Sequence, residues 1–277
     1  MIVDSQIHVW TEETPERPWI PGGKQRAHLP EALTWQKALP LMDEAGIDRA
    51  IIVPPTWPGD FNDHALEAAA AHPDRFAVMG RFAFEEEASK ALLATWKQQK
   101  GMLGIRVAFN HEKTQWIADG SADWLWRAAQ DADVPVMIFA PDAPEQIGRI
   151  ARDHPQLRLV IDHFGQATRG PEYKRVGPRL DIIAPFAKYL NVAVKLSAVP
   201  GFSSEPYPFK DMTPHLKRLI EAFGPQRCFW GTDLTHQRGK YAYRQYVTHF
   251  EEELAFLPAA DRKLVMGDAI LKFLDWK

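Results

Sequence analysis

The sequence predicts an α/β protein, a (β/α)₈ barrel, on three observations. Eight short apolar runs are spread along the whole chain, helix-like segments separate most of them, and the trailing ends of the runs carry nearly every chemically capable residue. The runs cover residues 2–9, 49–55, 75–82, 102–109, 134–140, 157–164, 191–198 and 227–233. Several are rich in Val and Ile and alternate too little for a sheet that faces water, as expected of parallel strands covered on both faces. Helices are predicted over 62–75, 83–100, 121–133, 143–156, 181–190 and 212–224, with Asn62, Ser121 and Thr213 as N-caps and Gly101 and Gly224 as stops. The alternative is an open doubly wound sheet. That fold would place a phosphate-cradling glycine pattern at a strand-to-helix turn, and this chain has none.

Across the 277 residues no Gly/Ser or Pro-rich linker interrupts the strand rhythm, so one domain over 1–277 is expected. A net charge of −3 gives no electrostatic case for nucleic acid, which leaves a small molecule as the expected partner. No apolar run approaches the ~18 residues of a membrane span, and Asp4 follows the initial Met almost at once, so no membrane partner and a cytoplasmic location are expected. Cys228 is alone and inside an apolar run, consistent with a buried thiol in a reducing compartment. The sequence is compatible with a homodimer without specifying one.

In a barrel of this kind the reacting groups come from the C-terminal strand ends. Period-two alternation puts Asp4, Gln6 and His8 on one face of the first strand. The sixth run ends in VIDHFG, where His163 shares a face with Leu159 and Ile161 while Asp162 turns the other way. The eighth ends in FWGTD, bringing Asp233 to the mouth. Either histidine alone reads as a satisfied core residue, but His8, His163 and Asp233 at one end of one barrel read as a site. Arg106 and Lys195 lie on strands four and seven, where a charge requires a partner: an anionic substrate group, or an ion pair with Asp4 or Asp162. Trp57, His236 and Tyr207 are weaker substrate-binding candidates, and Thr56, Asn110 and His111 could also line the pocket. Core packing accounts for most of the ten Trp residues. The irregular stretch 11–28 could cover the mouth, and its composition points to no chemistry.

The segments DSQIHVW, VIDHFG, VAVKLSA and FWGTDLTH, in this order over essentially the full chain, resemble the amidohydrolase-related (amidohydrolase 2) family. Within it they are most similar to the branch holding pyrone-dicarboxylate and sugar lactonases and non-oxidative aromatic acid decarboxylases. The resemblance implies a distorted TIM barrel, an aspartate after the last strand that acts on water, here Asp233, and a first-strand His-x-His pair. It also implies a sixth-strand histidine, here His163. Two departures stand out. The first histidine of the pair is Gln6, and the fifth strand offers Phe139 or Ala140 where metal-binding members place a histidine. Amide and phenyl groups replace two nitrogen ligands, so no cofactor is expected; the alternative is one zinc ion on His8, His163 and Asp233. The expected activity is hydrolysis of a small carboxylated lactone or cyclic amide, with Asp233 activating water, Gln6, His8 and His163 holding water or carbonyl oxygen, and Arg106 or Lys195 binding the acid group. Decarboxylation of an aromatic or dienoic acid, and metabolite binding without catalysis, are the alternatives.

Overall fold

The computed structural model describes residues 1–170, 173–237 and 239–277. Its eight strands are β1 (Val3–Ile7), β2 (Arg49–Ile52), β3 (Phe76–Arg81), β4 (Met102–Ala108), β5 (Val136–Phe139), β6 (Leu159–Ile161), β7 (Val192–Leu196) and β8 (Cys228–Trp230). Each falls inside one of the apolar runs. All pairings are parallel and follow chain order from β1 to β8, the arrangement of a (β/α)₈ barrel. Both faces of these strands are buried. Ile51, Ala77, Met79, Met137, Val160 and Phe229 fill the interior together with C-terminal residues Ile270, Leu274 and Trp276. Residues alternating with these, such as Ile52, Val78, Ile138 and Ile161, join the larger outer core under the helices.

Helices occur at most of the predicted places, including Asp63–Ala71, Asp123–Asp131, Pro144–Asp153 and Thr213–Phe223. The segment expected as one helix over 83–100 is instead a 3₁₀ run, Glu87–Gln98. The one over 181–190 is the end of a helix, Val176–Ile183, followed by a 3₁₀ turn that contains Pro185, which has no N–H to continue an α-helix. The sequence reading assigned no helix to Trp35–Ala45, where Pro40 lies inside the element, nor to Tyr243–Thr248 and Ala269–Leu274. Asn62 stands at an N-cap position but makes no capping bond; its amide instead clamps the backbone of Arg81. Ser121 and Thr213 are not caps, because the helices begin after Ala122 and Met212. Gly101 and Gly224 follow their helical segments with positive φ, as expected of stops.

The seam between β8 and β1 is closed by side chain as much as by backbone. Asp233 N–H donates to the Gln6 carbonyl at 3.0 Å. The buried Asp4 carboxylate accepts from Thr232 N–H at 2.9 Å, Thr232 Oγ1 at 2.6 Å, Tyr243 Oη at 2.7 Å and Gln6 N–H at 3.0 Å. Burial pushes the Asp4 carboxyl up to about 6 against the pull of these donors. Asp4 therefore does not share a face with Gln6 and His8. An irregularity in the β1–β2 register between Asp4 and Ile7 breaks the strict alternation. Gly231 lets the two strands approach, since a Cβ there would overlap Ser5 Oγ. Gly231→Ala should lower stability by about 1–3 kcal/mol in denaturant unfolding, and adding Ser5→Ala should recover part of that loss.

Candidate active site

A cavity of about 1210 Å³ opens at the C-terminal ends of the strands, and Gln6, His8, Arg106, His163 and Asp233 all line it. The residues reach it by different routes. Leu159 and Ile161 face the outer core, while Asp162 turns inward with Val160; the alternation is the expected one, but the inward face is the opposite of that expected. His163 still arrives at the mouth because it has left the strand with a left-handed φ of 50°. Asp233 has a φ of 53°. Such backbone is sparse for residues other than glycine and clusters at functional sites, where the surrounding structure must hold it.

His8 and Asp233 form the centre. The Val53 carbonyl, which can only accept, stands 2.6 Å from His8 Nδ1, so that nitrogen carries a hydrogen. Nε2 lies 2.9 Å from Asp233 Oδ1, an approach that requires a second proton shared by the pair. Burial alone would raise the Asp233 carboxyl, but the charge and hydrogen bond of His8 hold it well below the usual carboxylate range. Asp233 Oδ2 is 4.0 Å from His163 Nε2.

Beneath this pair runs a buried ionic chain. Asp162, fully buried, receives Arg106 Nε at 3.0 Å on one oxygen and faces Lys195 Nζ at 2.9 Å with the other. Lys195 Nζ also donates to Gln6 Oε1 at 2.7 Å. An ammonium has no lone pair to offer, so this contact fixes the Gln6 amide with its Nε2 toward His163 Nε2 at 3.2 Å. His163 Nε2 must then accept, and Nδ1 carries the hydrogen that goes to Ser197 Oγ at 2.8 Å. Burial lowers His163 to about 4, more than the nearby Asp233 and Asp162 raise it, in keeping with a neutral ring.

The other candidates divide. Trp57, His236, Thr56, Asn110 and His111 line the cavity. His236 is held there by Nε2–H donating to the Thr168 carbonyl at 3.1 Å and by Gln237 Nε2 donating to Nδ1 at 3.0 Å. Tyr207 lies away from the cavity; its hydroxyl meets Thr248 Oγ1 at 2.9 Å and its ring packs on Phe209. Lys195 is sealed in its ion pair below the floor and has no direct path to a substrate.

Two residues went unnoticed in the sequence. His28 comes from the irregular stretch that showed no chemistry, yet its ring lies 5.6 Å from His8 and 4.6 Å from Trp57. Its Nδ1 meets Thr235 Oγ1 at 2.9 Å, and burial lowers it to about 3 although the Asp233 charge opposes this. Arg81 ends β3, paired in register with Arg106, and also lines the cavity. Strand alternation could have flagged Arg81, but no local signal marks His28.

The amidohydrolase family model matches residues 3–276. The chain belongs to the amidohydrolase family. It is 26% identical over 250 residues to a 4-sulfomuconolactone hydrolase of Hydrogenophaga intermedia, covering 84% of this chain and 74% of that protein. Among solved structures it resembles a probable 2-pyrone-4,6-dicarboxylic acid hydrolase of Acinetobacter baumannii with citric acid bound, at a TM-score of 0.78, 17% identity and 99% coverage of both chains. A zinc-bound amidohydrolase of Burkholderia multivorans superposes equally well, at a TM-score of 0.78 with 20% identity and 99% coverage of both.

Lys195→Met should leave Asp162 with only Arg106 and lower stability by about 3–5 kcal/mol. Imidazole nitrogen chemical shifts should report His163 as the Nδ1–H tautomer in the wild type, and this preference should weaken in the variant, whose Gln6 amide is free to turn over.

Proposed function

We propose that this amidohydrolase is a lactone hydrolase that works without a metal ion. The observation that carries the reading is the Asp233 carboxylate, ionised by its contact with His8 and set on the wall of the strand-end cavity. Named relatives that hydrolyse lactones support the substrate class.

The donor set here does not suit the zinc of the Burkholderia multivorans relative. Among the described residues no three His, Cys, Asp or Glu side chains converge to hold a metal ion. The His163 Nε2 lone pair is taken by the Gln6 amide, His8 Nε2 is turned to Asp233, and a lysine ammonium lies 2.7 Å from the Gln6 oxygen. A divalent cation would have to displace each of these contacts in the field of Lys195. Phe139, a non-ligating side chain on β5, stands in edge contact with His163.

In the proposed reaction the water oxygen bonds to the lactone carbonyl carbon while Asp233 accepts the water proton. Collapse of the tetrahedral adduct breaks the ring C–O bond, and the leaving oxygen takes the proton back from Asp233. His8 keeps the carboxylate ionised and aimed, with Val53 fixing the ring.

Asp233→Asn should reduce kcat on a lactone that the wild type opens by about 10²-fold or more while the fold is retained. Dialysis against a chelator should leave wild-type turnover intact, and a requirement for stoichiometric zinc would overturn the metal-free mechanism. Because the folded Asp233 titrates below its unfolded value, its stabilising contribution is present above roughly pH 4 and lost only as pH falls further through the depressed folded value. The kcat/KM profile should accordingly show no loss from Asp233 between neutrality and roughly pH 5.

A further inference from the structure

We propose that Arg81 and Arg106 together form a binding subsite for one acid group, a carboxylate or a sulfonate, on the side of the cavity away from Asp233. The inference rests on the lactone-hydrolase reading only for the remainder of the bound molecule.

The two arginines are register partners on neighbouring parallel strands, both are 7% exposed, and both line the cavity. Each is anchored from one side. Arg81 gives Nε and Nη2 to a single Asp60 oxygen at 2.9 and 2.8 Å, and Asn62 pins its backbone from both sides. Arg106 gives Nε to Asp162 and spreads its guanidinium over the Phe139 ring at 5.2 Å. What remains is unspent. Arg81 Nη1 is buried with no hydrogen-bond partner among the described residues, and a donor left in that condition is costly unless something fills the gap.

Charge counting leads to the same place. Three buried cations, Arg81, Arg106 and Lys195, meet two carboxylates, Asp60 and Asp162, which leaves one positive charge unmatched. Glu85, also near Arg81, is engaged by Lys113, and Glu86, which lines the same cavity, is exposed to solvent, where water screens its charge. Burial and the neighbouring Arg106 both pull the Arg81 guanidinium below its ordinary value, as expected of two like charges held side by side. A single anionic oxygen pair between the forks would satisfy the orphaned N–H and the excess charge at once. With β3 and β4 roughly across the barrel from the β8–β1 seam, the acid group would point away from the scissile carbonyl.

Calorimetric titration of the full-length protein with benzoate, benzenesulfonate and neutral benzamide tests this without relying on turnover. We expect at least one acid to bind about tenfold or more tightly than benzamide, and the better acid identifies the group the subsite takes. Arg81→Gln should remove that preference. Asp60→Asn, which keeps Arg81 but removes its counter-charge, should tighten acid binding and serves as the independent arm if Arg81→Gln is poorly folded. Equal affinity for benzamide and the acids, or an acid preference unchanged in Arg81→Gln, or weaker acid binding in folded Asp60→Asn, would overturn the proposal. Acid binding that survives in a protein that opens no lactone would count against the lactone reading alone.

Discussion

The buried contact between Lys195 and Asp162 is the constraint on which the rest of the site depends. A lysine sealed inside a barrel must be neutralised, and Asp162 does this while also receiving Arg106. The remaining hydrogens of the ammonium then dictate the orientation of Gln6, Gln6 dictates the tautomer of His163, and Ser197 receives the hydrogen that this tautomer leaves on Nδ1. One charge thus sets the polarity of a chain of neutral groups that ends at the cavity wall. The same ammonium, buried under the floor of the cavity, adds positive charge beneath Gln6.

A second constraint is geometric. Asp233 has a left-handed backbone just beyond β8, held by a backbone bond to Gln6 and flanked by Thr232, which Asp4 grips through both its amide and its hydroxyl. Asp4 is therefore a structural carboxylate whose burial and four donors hold the last loop against the first strand. Gly231 permits that approach, and Tyr243 brings in the helix that follows. The seam of the barrel and the aim of Asp233 are the same set of contacts.

The cavity is asymmetric as a consequence. Its β8–β1 side presents an ionised carboxylate and three imidazoles, from His8, His28 and His236, while its β3–β4 side presents paired guanidiniums. Opposite charges at opposite walls suit a ligand with an electrophilic carbonyl at one end and an acid group at the other. Phe139 carries the Arg106 guanidinium on its face and meets His163 edge-on, which makes it a wall between the two halves.

The sequence alone determined the eight strands and the end of the barrel that carries chemistry, because parallel strands buried on both faces must be apolar runs and polar residues at their ends have nowhere else to go. It also singled out His8, His163 and Asp233, and the departures at Gln6 and at Phe139 or Ala140. Local alternation misjudged Asp4 and His163, since a register irregularity in β1 and left-handed backbone after β6 change which way side chains point, and neither is encoded in a period of two; for Asp162 the alternation held and only the inward face was assigned the wrong way round. For Lys195 the sequence left open a substrate contact or an ion pair with Asp4 or Asp162, and the structure shows the pair with Asp162; Tyr207, a weak substrate candidate, packs on Phe209 instead. His28 is brought to His8 by a segment without regular periodicity, and the partner that completes Arg81 lies in the loop after β2. Those placements depend on contacts between residues far apart in the chain, and only the tertiary structure decides them.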